Sequence, residues 1–152
     1  MILKHKLLFV FGFLPILLFA QREQVNLKVR NAAPMRKFEY HQMSSFDVVN
    51  GKMNVALASS NGYLFEIIGI STKSLKCSTI LKQNQFKVVL IDNRLNKTYV
   101  SNQKSKGTLR VNCMPDGKYE LIFVGDIFND NQKVTVTSNL VGAIAHSSNI
   151  KN

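Results

Sequence analysis

The residues of this 152-residue chain best suited to covalent chemistry are Cys77 and Cys113. Cys77 shares strand parity with Leu75, and Cys113 shares it with Leu109 and Val111. Both thiols are therefore expected on inward strand faces, where neighbouring or facing strands could join them as a disulfide. Closing a loop of this length removes unfolded-state entropy worth about 4 kcal/mol. The alternative is two separate buried thiols that act as small apolar side chains. A redox or nucleophilic role finds no support, because neither a CxxC motif nor a nearby histidine activates either thiol.

Hydrolysis needs a base beside a serine or cysteine. Beyond the first twenty residues the histidines are His41 and His146. His41 lies near Ser44, Ser45 and Asp47, but triads are assembled by the fold rather than by local clustering, and no GxSxG elbow occurs. The segment reads as a polar strand or loop at a sheet edge; a secreted hydrolase using His41 is the competing reading. His146 is assigned no role. No metal site is expected, since HExxH is absent and the cysteines and histidines lack zinc-ligand spacing. Asp126, Asn129, Asp130 and Asn131 offer oxygens of the kind calcium prefers, yet they are also ordinary hairpin residues, and a turn is expected there. Glycine-rich phosphate motifs are missing, so no cofactor is expected.

Charge is the feature that could report a partner. The chain carries 20 Lys and Arg against 9 Asp and Glu, a net +11. Lys82, Lys87, Arg94, Lys97, Lys104, Lys106 and Arg110 form a run opposed only by Asp92. On one face they would attract anionic polysaccharide, lipopolysaccharide or nucleic acid through salt-sensitive forces. Only Phe86 and Tyr99 interleave with them, too few for a base-stacking platform, so nucleic acid is disfavoured. The competing explanation is solubility and protection of sheet edges by lysine. Asn96-Lys97-Thr98 also fits an N-glycosylation acceptor on a hairpin tip.

Two kinds of segment must carry these residues. Lys4 and Lys6 precede an uncharged apolar run from Leu7 to Ala20, the layout of a secretory signal peptide. The run is too short to span a bilayer comfortably, so cleavage after Ala20 is expected, with no membrane anchor left. Eighteen cations then remain against nine acids, still a net +9. An exported chain meets oxidising conditions, which favours pairing of the two cysteines.

The remainder reads as strands and turns. Val25, Leu27 and Val29 alternate with polar residues. Asn50-Gly51 predicts a hairpin between the strands around Phe46–Val49 and Met53–Leu57, because both central positions accept positive φ. Asn61-Gly62 leads into Tyr63–Ile70, apolar on both faces and expected to be a central strand. Cys77 is expected in an alternating strand with Leu75 and Thr79. Further strands are expected at Phe86–Ile91, Tyr99–Val100, Leu109–Cys113, Tyr119–Val124 and Val134–Thr137. After Asn139 the pattern dissolves. Many short strands at this spacing, without an amphipathic helix, predict an all-β sandwich or barrel.

The stretch from Phe86 to Thr137 carries a resemblance. Lys87-Val88-Val89-Leu90-Ile91-Asp92, a return through Tyr99, Gly107-Thr108-Leu109-Arg110-Val111, the run from Pro115 to Phe123 and Lys133-Val134-Thr135-Val136 follow in order. This resembles the immunoglobulin-like antiparallel β-sandwiches of small exported bacterial proteins and is similar to type IX secretion sorting domains. The resemblance implies such a sandwich. With the residue pattern, the expected layout is a signal peptide at 1–20, an N-terminal strand and linker at 21–38, the β-sandwich at 39–139 and a tail at 140–152. Gly117 and Tyr119 correspond to the step into a late core strand, where tyrosine often caps a corner.

These readings converge on an exported, secreted, periplasmic or cell-surface protein without catalysis. It would be a surface-associated binding or structural accessory for anionic polysaccharide or another envelope protein. Lys87, Arg94, Lys97, Lys104, Lys106 and Arg110 are the expected anion-binding residues. The alternative is a small β-barrel carrier of an apolar ligand, lined by residues such as Phe65, Ile67, Leu121 and Phe123.

Overall fold

The computed structural model of the protein describes residues 25–30, 36–37, 44–58 and 62–144. The signal peptide expected at 1–20, His41, His146 and positions 145–152 lie outside the described residues. The strands are β1 (Val25–Arg30), β2 (Arg36–Lys37), β3 (Ser44–Val49), β4 (Lys52–Ala58), β5 (Tyr63–Ser71) and β6 (Thr79–Lys82). They continue with β7 (Lys87–Asp92), β8 (Lys97–Val100), β9 (Gly107–Cys113), β10 (Tyr119–Asn129) and β11 (Gln132–Gly142). No α-helix occurs among the described residues, and no described helix is long and apolar enough to cross a membrane. The described residues form an all-β fold in which every strand pair is antiparallel.

Neighbouring strands run β2-β1-β11-β10-β8-β7-β5-β4-β3, with β9 also on β10 and β6 on β9. Turn chemistry sets much of this order. Asn50 (φ 51°) and Gly51 (φ 71°) form the two-residue loop between β3 and β4, with Val49 opposite Lys52. Both angles suit the twist of the hairpin they close. Asp130 (φ 51°) opens another two-residue loop, between β10 and β11, where Asn129 faces Gln132. Pro115-Asp116-Gly117 turns β9 into β10, closed by Met114 N–H donating to Lys118 O at 2.9 Å.

Inward residues from most of these strands merge into one core. Phe65 of β5 and Phe123 of β10 meet at 6.4 Å between ring centroids, and Phe86 meets Phe123 edge-on at 5.9 Å. Since β5 and β10 are not neighbours in the strand order, the sheet must fold over to bring these rings together. Phe65, Ile67, Leu121 and Phe123, named above as the lining of an apolar carrier, all belong to this core at no more than 1% exposure.

Three elements differ from the sequence pattern. Tyr63–Ser71 buries one face, while Leu64, Glu66 and Ile68 on the other are only half-buried; β7 is the strand buried on both sides, through Val88, Val89 and Leu90. Residues 75–78 are not a strand: Ser78 takes φ 60° in a turn ahead of β6. Finally, β11 continues past Asn139 to Gly142. Ser138 faces the core there, fully buried, and Gly142 makes room for the Phe46 ring, so a polar residue and a glycine hide an unbroken inward row.

Cys77 and Cys113 form a disulfide, with Cα atoms 4.9 Å apart. It is not the buried bridge that parity suggested, because both residues are exposed. Thr79 pairs with Val111, so the antiparallel register carried two residues further sets Cys77 opposite Cys113. Parity decides which side of a strand a residue takes, but the last position of β9 projects beyond the core. The disulfide fits an oxidising, non-cytoplasmic environment.

Candidate functional site

The long strand β10 determines where the basic run goes. Along one edge it pairs with β11 over its full length. Along the other, Phe128 pairs with Val100 of β8 and Gly125 with Gly107 of β9. The backbone of residues 97–113 therefore follows β10 almost continuously, broken only where 101–106 loop outward. Asp126 N–H still donates to Lys106 O at 2.9 Å as the chain rejoins. On their far sides β8 pairs with β7, whereas β9 pairs with β6. The link between β6 and β7, a single 3-10 turn at Gln83–Gln85, must pass from one strand group to the other at that same level.

A cleft of about 320 Å³ lies between these two crossings. Gln83, Asn84, Phe86 and Lys87 line one side. Ser101, Asn102, Gln103 and Ser105 line the other. Val88 N–H donates to Ser101 Oγ at 2.9 Å, and Ser101 N–H returns a bond to Val88 O at 2.9 Å, which ties the crossings together. Within the loop, Asn102 N–H donates to Ser105 Oγ at 2.9 Å and Lys104 N–H to Asn102 Oδ1 at 2.8 Å.

The six expected anion-binding residues do not share one place. Lys87 lines the cleft, and Lys104 and Lys106 are exposed on the loop that forms its second side. Arg110 is exposed on β9, with Ile80 and Ile122 opposite it on the flanking strands. Arg94 and Lys97 sit at the other end of the β7–β8 hairpin, about 17 Å away at ~3.3 Å per strand residue. These two serve internal contacts. The Arg94 guanidinium lies 4.4 Å above the Tyr63 ring, donates to Tyr63 Oη, and pairs with the buried Asp92 carboxylate at 3.4 Å. Lys97 Nζ donates to Gln132 Oε1 at 3.0 Å. Asp92 also accepts the backbone N–H groups of Arg94 and Leu95, which fixes the hairpin turn.

The oxygen-rich segment at 126–131 is likewise committed to structure. Thr135 Oγ1 donates to Asp126 Oδ1 at 2.7 Å, Lys133 pairs with Asp126 at 3.6 Å, and Asn129 Nδ2 donates to Thr98 O at 2.8 Å. No cluster of three or more His, Cys, Asp or Glu suited to a metal ion occurs among the described residues. Asn96, of the glycosylation tripeptide, is exposed in the β7–β8 turn.

The amides and hydroxyls of the cleft escaped the sequence reading because 83–87 and 101–105 are each unremarkable polar connections. The chain matches no protein-family model, no curated protein and no solved structure.

Proposed function

We propose that the protein is an exported immunoglobulin-like β-sandwich that acts, without catalysis, as a surface-associated accessory binding anionic polymers. The basic-apolar leader and the Cys77–Cys113 bridge support export. The single core shared by β5 and β10 supports a sandwich. One observation carries the binding reading: Lys87, Lys104, Lys106 and Arg110 are exposed, and no ion pair to them occurs among the described residues. Packed rings at Phe65 and Phe123 favour this over a carrier of apolar ligand.

Exposed cations attract a polyanion over roughly a Debye length, ~10 Å at moderate salt, so the association must weaken as salt rises. The test is retention of the purified protein on a sulfated polysaccharide resin, eluted with a salt gradient. Retention that fades at modest salt, and that falls when Lys87, Lys104, Lys106 and Arg110 are all changed to Gln, supports the proposal. Passage through the column at low salt overturns it.

A further inference from the structure

We propose that the cleft between the two crossings binds the acidic group of a sugar, a carboxylate or sulfate carried on a hydroxylated ring. This deepens the polyanion reading and rests on it. The cleft holds unused hydrogen-bonding capacity. Ser101 Oγ and Ser105 Oγ already accept backbone N–H groups, and Asn102 Oδ1 accepts a third. Each of these oxygens keeps a second lone pair, and the side chains also hold donors still to be used: two hydroxyl protons and the Asn102 Nδ2 amide. Lys87 adds a charged donor, and no carboxylate lines the cleft among the described residues. Gln83 spends its Nε2 on Phe86 O, and its buried Oε1 lies against Gly107. A donor-rich, positively charged concavity fits an acceptor-only group, and bonds to a charged oxyanion are about twice as strong as neutral ones.

Asn84 and Gln103 are exposed at the same cleft. Their amides both donate and accept, which suits neighbouring ring hydroxyls. The volume lies at the small end of the ~300–1,000 Å³ typical of ligand sites, room for a sugar unit rather than a wide polymer face. A nucleic-acid phosphate would supply the same oxyanion, but its bases seek exposed rings. Phe86, the ring in this lining, is only 7% exposed.

The experiment is titration of the isotope-labelled protein with oligogalacturonate, with its neutral methyl ester and with single-stranded DNA of matched charge, followed by backbone amide shifts. The expected result is oligogalacturonate shifts concentrated at residues 83–87 and 101–105, with at least roughly tenfold weaker binding of the ester. Lys87→Gln should weaken oligogalacturonate binding about tenfold, and the Asn84→Ala/Gln103→Ala double variant several-fold. Both changes fall on surface positions, and an unchanged thermal midpoint will show that the fold persists. Shifts confined to the Arg110 surface, or unchanged affinity in both variants, overturn the cleft while leaving polyanion binding in place. Equal binding of the ester overturns the oxyanion assignment, and DNA occupying the cleft as tightly overturns the sugar. Cleft shifts without resin retention would support this site and remove the broader surface reading.

Discussion

Gly107 of β9 and Gly125 of β10 stand directly opposite one another, and the Phe123 ring lies against both. A Cβ on Gly125 would fall 2.7 Å from Gly107 Cα and 2.6 Å from Phe123 Cζ. A Cβ on Gly107 would fall 2.5 Å from Gln83 Oε1 and 2.9 Å from Phe123 Cε2. One side-chain-free pair thus seats the ring that touches Phe65 and Phe86, and lets Gln83 of the cleft approach β9.

Gly125→Ala should therefore act as overpacking of a filled core, costing about 1–3 kcal/mol. Urea denaturation should show a lower midpoint with an unchanged slope. Adding Phe123→Leu removes the obstructing ring edge, so the two changes together should cost less than their sum. Strict additivity would mean that the ring does not occupy the space above the glycines.

Breaking the disulfide should loosen one edge more than the whole. β6 is four residues long and pairs only with β9 among the described residues, so the bridge beside Thr79 and Val111 holds its free end. The Cys77→Ala/Cys113→Ala double variant should lose stability, up to about 4 kcal/mol on the chain-entropy account. Hydrogen exchange at Thr79–Lys82 should accelerate before exchange in β10. Exposure of both cysteines makes the bridge accessible to reductant, which should reproduce the effect in the parent protein. Identical denaturation with and without reductant would contradict this.

These two cases show what was readable from residues and what was not. Asn50-Gly51 announces its hairpin because the conformation it needs is a property of those two residues. The cysteines announce a pairing, but Ser78 at positive φ breaks the alternation that would aim Cys77 inward. The cleft is a harder case. Lys87 and Asn102 are brought together only because β10 pairs with β8 and β9 in turn, and no local pattern encodes that sharing. The basic run misleads in a related way, since equal charge hides that Arg94 is spent on Asp92 and Tyr63 while Lys104 is not.

Asp92 gives a third expectation. Its side chain is 7% exposed and accepts two turn N–H groups beside the Arg94 guanidinium. Asp92→Ala should cost about 1–3 kcal/mol, because donors around the turn lose their partner. Asp92→Asn keeps one acceptor oxygen for the turn and loses the charge, so it should cost less. Denaturation midpoints in the order parent, Asn, Ala would agree; equal loss in both variants would assign the stabilisation to the charge alone.

The last expectation concerns alkaline pH. Tyr99 is 5% exposed, and its hydroxyl donates to Gln132 Oε1 at 3.3 Å. Burial pushes its phenol pKa up, and the nearby Asp92 carboxylate adds to the rise. The folded protein thus holds this proton at pH values where the unfolded chain, with an ordinary value of about 10, has released it. Above that value the unfolded state binds fewer protons, so stability must fall as pH rises. The Tyr99 contribution is complete below the unfolded value and is lost as pH climbs through the folded one. Lysines titrate in the same range, so the diagnostic quantity is the difference between the parent and Tyr99→Phe. The phenylalanine variant should begin less stable at neutral pH, having lost the bond to Gln132, and should decline less steeply above pH about 10. Parallel stability curves would show that Tyr99 ionises as freely in the folded protein as in the unfolded chain.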